Sequence, residues 1–261
     1  VSRRGFLEAV AGGLVSLVTG GLFGARRGHA MGRATQVDVG YLTWEGVEPN
    51  PRPGVIELML LELARNTSVD VAVETVPVAP EGRALFDHPM VFLFGTRALP
   101  PMSAAGRANL EHYLRSGGLL FVDDSSGLFS SPFDDSVRQL VAQLFPGDRL
   151  ERIPSTHVLY RTFFLLERIA GRAAVKAYLE GVTLGDGITP VIYSRNDVAG
   201  AFARDPLGGY LYECVPGGEA QRVAAYKLAI NLMMYALCLN YKHDLTHVRA
   251  LLNKRRGVFD E

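Results

Sequence analysis

The run Met90–Gly95, MVFLFG, is continuously apolar, the pattern of a strand buried on both faces, and such strands belong to parallel sheets covered by helices. A parallel sheet forces the chain to cross back between strands, so helical and extended segments must alternate. The neighbouring sequence alternates accordingly. Residues 37–41 and 69–78 read as earlier strands, and 119–122 and 190–193 as later ones. Between them Ile56, Met59, Leu60 and Leu63 recur at helical spacing, with Asn66 as a left-handed cap. Leu110, Tyr113 and Leu114 form the inward face of a helix that Ser103 caps and Gly117-Gly118 stops. Val137, Leu140, Val141 and Leu144 mark a third helix with Asp134 and Asp135 at its favoured acidic end. The predicted fold class is α/β, a doubly wound, mostly parallel sheet flanked by helices.

Beyond residue 150 the rhythm loosens. Residues 158–166 fit either a strand or a short helix, 182–187 a loop, and 219–239 a long helix whose Lys227 and Asn231 argue for a core helix over a membrane span. The sequence thus predicts one α/β domain over 35–241 and a basic amphipathic tail over 242–261. With 48% of 261 residues apolar, the chain can bury a full core.

The first 30 residues stand apart from this pattern. Ser2-Arg3-Arg4-Gly5-Phe6-Leu7 matches the twin-arginine export signature, and an uncharged but glycine-diluted run over 9–25 follows it. Gly28-His29-Ala30 places small residues where a signal peptidase cuts, so cleavage is expected after Ala30 and the mature chain in the periplasm; an uncleaved N-terminal anchor is the alternative. Without residues 1–30 the chain holds 23 basic and 26 acidic residues, which provides no basic field for nucleic acid. Cys214 and Cys238 are the two cysteines, with no CxxC, so neither a disulfide framework nor a structural zinc site is written here.

Ligands of open parallel sheets bind at the carboxyl ends of the strands. That rule selects Trp44 and Glu45, Thr96 and Arg97, Asp123 to Ser126, and Ser194 to Asp197. Asp123 and Asp124 would point to opposite faces if both lay in a strand, so one of them faces a crevice; Asp124, nearer the loop, is the expected one. Ser125 and Ser126 lack the small residue two positions earlier that a GxSxG nucleophile turn requires. His157 and Arg161 fall on one side at helical or strand spacing and suit an anion. No ligand pair has diagnostic metal spacing, so no metal or cofactor is assigned; His157, Asp124 and Asp197 are the grouping that would otherwise serve.

Several strings together resemble the bacterial DUF4159 family. They include Trp44, Tyr113 to Gly118 leading into Leu120 to Asp123, Pro154 with His157 and Arg161, Asp186-Gly187, Asn196-Asp197, Pro216 to Glu219 with Arg222, and Asn240-Tyr241-Lys242 with Asp244 and His247. Val198 and Phe202 stand where the family pattern leads one to expect tryptophans. The resemblance implies a glutamine amidotransferase-like or flavodoxin-like fold whose nucleophile turn here carries Asp124 and Ser125 in place of cysteine. It also implies envelope partners of the kind linked to MoxR-type ATPases and von Willebrand A domain proteins. The leading expectation is a noncatalytic exported module binding a polar or anionic ligand, or a protein, at Trp44, Asp123, Asp124, His157, Arg161, Asn196 and Asp197. The alternative is a hydrolase using Asp124 or His157 as general base, with or without a metal.

Overall fold

The computed structural model describes residues 36–256 of the chain. The segment read as an export signal, residues 1–30, lies outside the described residues, as do 257–261 at the end of the basic tail. Seven strands form one sheet in the order β2-β1-β3-β4-β7-β6-β5. These are β1 (Gly40–Leu42), β2 (Val76–Val78), β3 (Met90–Gly95), β4 (Leu119–Asp124), β5 (Glu151–Arg152), β6 (Glu180–Val182) and β7 (Val191–Ser194). The first five in spatial order pair in parallel; β6 runs antiparallel to β7, and β5 antiparallel to β6. The parallel part therefore has the 2-1-3-4-5 winding of flavodoxin-like sheets, with the doubly wound architecture the alternation predicts.

Among the described residues four α-helices cover it: α1 (Val55–Asn66), α2 (Ala104–Arg115), α3 (Pro132–Leu144) and α4 (Gly218–Arg256). Alternate side chains of each central strand feed two separate cores. Phe92, Phe94, Phe121 and Ile192 pack with α1 and α4, and Val91, Leu93, Leu120 and Val122 pack with α2 and α3. On the first face the phenyl rings of Phe92, Phe94 and Phe121 meet edge to face at centroid distances of 5.6 to 6.5 Å, a favoured arrangement for aromatic quadrupoles. The stretch Gly218–Leu239 is long and apolar enough to cross a membrane, yet most of it is buried in the first core. Its Asn231 is fully buried and satisfied, accepting from the Phe164 amide and donating to the Leu159 and Phe164 carbonyls.

Local chemistry sets the element ends. Ser103 caps α2 by accepting the Gly106 amide at 2.9 Å, as its sequence predicts. The third helix begins two residues earlier than its acidic pair suggested, because Ser131 caps it and Pro132 occupies its first turn. Asn66 is not a left-handed cap: it is the last helical residue, and the chain leaves α1 extended at Thr67. The strands read at 37–41 and 69–78 shrink to three residues each, with a further bridge between Val37 and Val71. The antiparallel β5 and β6 escaped the sequence because strands of two and three residues carry no usable period.

The double glycine before β4 serves two needs. Gly117 takes a φ of 98°, open to glycine at no steric cost. At Gly118 a Cβ would stand 2.2 Å from the ring of Tyr113, whose hydroxyl donates to the His88 carbonyl. Because that buried ring has no free volume to yield, Gly118→Ala should lower stability by about 1–3 kcal/mol. The change should be read as a lower urea midpoint with an unaltered slope.

Candidate functional site

Strand β4 runs through both carboxylates, so Asp123 and Asp124 do face opposite sides of the sheet, and both are fully buried. Asp124 lies on the α2–α3 side. Its Oδ1 accepts the Ser126 amide at 2.9 Å and its Oδ2 the Ser131 hydroxyl at 2.5 Å, while Ser131 in turn caps α3 through the Asp134 amide. Asp124 therefore braces the turn and the helix start, which corrects the expectation that it faces the crevice. The choice between the two acids rested on nearness to the loop, whereas strand parity decides the face.

Asp123 lies on the other side, beside Asp197. Its Oδ2 accepts the Ala199 amide at 2.9 Å, and its Oδ1 is buried without a hydrogen-bond partner. Burial, then the charge of Asp197, push its pKa up to about 7, against the opposing pull of the Ala199 and Val198 amides and the Ser194 hydroxyl.

Asp197 is the centre of the cluster. Its φ of 50° is the left-handed region, which Asp tolerates better than most residues. The carboxylate is wholly buried and takes Arg52 in a two-point contact, Nε to Oδ1 at 3.1 Å and Nη2 to Oδ2 at 2.8 Å. Arg172 donates its Nε to the same Oδ2, and the Gly200 amide donates to Oδ1 at 2.9 Å. A Cβ at position 200 would sit 2.2 Å from that carboxylate, so only glycine leaves room for it. Arg52 spends its remaining donors on the carbonyls of Pro51 and Ser125 and on the Tyr212 hydroxyl. Burial works against its charge, but the hydrogen bonds and charge of Asp197 prevail and raise its pKa. The Tyr212 ring lies under both guanidiniums, 4.7 Å from Arg52 Cζ and 5.4 Å from Arg172 Cζ. Arg172 is less consumed. Beyond Asp197 and the Tyr212 ring it hydrogen-bonds, among the described residues, only the Ser126 carbonyl, at 3.5 Å through Nη2, and a quarter of its side chain is exposed.

Asn196 stands next to this cluster with a different task. Its side chain accepts the Lys176 amide at 2.8 Å and donates to the Lys176 carbonyl at 2.7 Å. With the Ala173 amide on the Asn196 carbonyl and the Arg172 amide on that of Asp197, the Asn-Asp pair clamps the irregular segment 171–176. Gly171 permits the approach, since a Cβ there would meet the Asn196 carbonyl oxygen at 2.3 Å.

The other expected residues fall elsewhere. His157 contacts the Thr189 hydroxyl at 3.2 Å and accepts the Leu159 amide at 3.2 Å, with its ring edge on Tyr235. Thr189 precedes β7, so His157 is at the amino end of the parallel strands, roughly 20 Å along the sheet from Asp124 at about 3.3 Å per residue. Arg161 accompanies it, bonded to the Thr156 carbonyl. Burial, then Arg161, lower the His157 pKa. Trp44 is at the carboxyl edge but on the α2–α3 side, donating to the Pro100 carbonyl at 3.2 Å. His157, Asp124 and Asp197 thus form no common metal grouping, and among the described residues no three His, Cys, Asp or Glu side chains gather in a metal-holding arrangement. Arg52 and Arg172 had only weak sequence signals: an arginine between Pro51 and Pro53 just before a helix, and one beside a glycine in a loop.

A family model described as a domain of unknown function, DUF4159, matches residues 38–237. No curated protein matches the chain.

The raised pKa of Asp123 carries a pH signature. The folded state holds its proton to about pH 7 while the unfolded chain releases it near 3.8, so this contribution to stability is present in full below 3.8 and lost as pH rises through 7. Asp123→Asn removes that dependence. Its urea midpoint should therefore rise relative to the unsubstituted protein between pH 5 and pH 8, and a constant difference would contradict the assignment.

Proposed function

Because the chain belongs to the DUF4159 family, whose function is unknown, we propose that it is a noncatalytic binding module of the cell envelope that receives an anionic group at Arg172. The observation that carries this reading is the division of labour between the two arginines around Asp197. Arg52 is committed within the fold, whereas Arg172 is held through Nε and Nη2 and keeps its Nη1 donors uncommitted among the described residues. A guanidinium held in place by a buried carboxylate recognises carboxylate or phosphate with little ordering cost. Its position beyond the carboxyl ends of β4 and β7 is where sheets of this winding bind ligands.

The placement of its two candidate bases speaks against the hydrolase alternative. Asp124 is occupied by Ser126 and Ser131, His157 by Thr189 and Leu159, and the two stand at opposite ends of the parallel strands. An amidotransferase-like ancestry with the nucleophile turn converted to Asp124 and Ser125 accords with a binding role. The twin-arginine signature supports export, and the family resemblance supports partners of the MoxR-type ATPase and von Willebrand A domain systems.

Two experiments test these points. Phosphate and small di- and tricarboxylates, screened by thermal shift, should include a compound that stabilises the protein, by about 2.7 kcal/mol at a hundredfold excess over Kd. That stabilisation should vanish in Arg172→Gln; equal shifts in both proteins would refute the site. Separately, replacing Arg3 and Arg4 together by lysine should leave the protein in the cytoplasmic fraction, and undiminished periplasmic recovery would refute twin-arginine export.

A further inference from the structure

A cavity of about 460 Å³ opens on the far side of the segment that Asn196 and Asp197 clamp, between β5, residues 166–178 and the start of α4. Its volume falls in the range of small-molecule sites, about 300–1,000 Å³. Ile153, Leu166, Ile169 and Ala177 contribute apolar wall. The polar groups of that wall are largely satisfied from within. Gln221 donates to the carbonyls of Gly171, Arg172 and Val215 and accepts the Gly217 amide, and the Tyr160 hydroxyl donates to the Ile153 carbonyl.

The two arginines of the wall are not satisfied in this way. Arg152 and Arg168 both line the cavity, and neither guanidinium makes a hydrogen bond or ion pair among the described residues. Arg152 instead stacks on Tyr178, its Cζ 4.9 Å from the ring centroid, which leaves the edge of the guanidinium unpaired. Glu167 is the one carboxylate in the lining, so the net charge of the lining is positive. Leu166, Glu167, Arg168 and Ala224 also line an adjoining depression of about 330 Å³, which adds exposed Leu165 and Val223 and the cation Lys227. The hollow thus joins a stretch of apolar wall to a lining of net positive charge.

We propose that this cavity binds a single-chain amphipathic anion, an apolar acid whose carboxylate engages Arg152 and Arg168 while its hydrocarbon lies against Ile153, Leu166 and Ile169. The site is separate from the one proposed at Arg172 and does not rest on that reading. Burying the chain supplies the affinity, at about 25 cal/mol per Å² of apolar surface, and the two guanidiniums select the charged end.

Dodecanoate, titrated calorimetrically below its micellar concentration, should bind the full chain at one site. Affinity should fall at least tenfold in the Arg152→Ala/Arg168→Ala double variant and for dodecanol in place of the acid. Ala177→Trp, at an exposed wall position, should abolish binding while the melting temperature stays near that of the parent. Absence of saturable binding to the parent, or equal affinity in all three proteins, would overturn the proposal. Sedimentation with phosphatidylglycerol vesicles separates a free acid from a bilayer lipid: binding to vesicles alone, without dodecanoate binding, would also overturn it.

Discussion

The carboxylate of Asp197 is the interaction on which this end of the molecule depends. It is fully buried, and an isolated ionised carboxylate there would be untenable. Arg52, Arg172 and the Gly200 amide satisfy it, each from a different part of the chain. The β1–α1 loop, the 171–176 segment and the turn after β7 are thereby held to one point. Removing one member of such a pair typically costs about 3–5 kcal/mol, because the other charge is left buried and uncompensated. The left-handed backbone of Asp197 and the bare Cα of Gly200 are local accommodations to that requirement.

A second constraint is the parity of β4. Because successive side chains alternate, one strand delivers two acids to two unrelated environments. Asp124 meets hydroxyl and amide donors at the start of α3 and becomes a brace. Asp123 meets another carboxylate and has its donors gathered at Oδ2, so it is the one of the two left with an unpaired oxygen. Identical residues one position apart thus meet different partners because the strand turns them to different faces.

The clamped segment links the two proposed binding regions. Its Arg172 side chain turns toward Asp197, while its backbone carbonyls are gathered by Gln221 at the wall of the cavity. The Asn196-Asp197 pair, singled out in the sequence as ligand contacts, is better understood as the fixture that shapes both regions. His157 and Arg161 lie at the other end of the strands, where Thr189 and Tyr235 surround the imidazole.

Local chemistry determined much of this protein without reference to the fold. The unbroken apolar run of β3, the helical stripes of α1 to α3, the Ser103 cap and the Gly117-Gly118 stop follow from periodicity and backbone sterics over a dozen residues. They sufficed for the fold class. The short β5 and β6 were illegible because two or three residues carry no period. The site was decided by tertiary structure: Arg52 and Asp197 are 145 positions apart and meet only where the β1–α1 loop and the turn after β7 close over one sheet edge. No sequence pattern encodes that meeting, since an ion pair depends on where loops converge and a side chain's face depends on strand register.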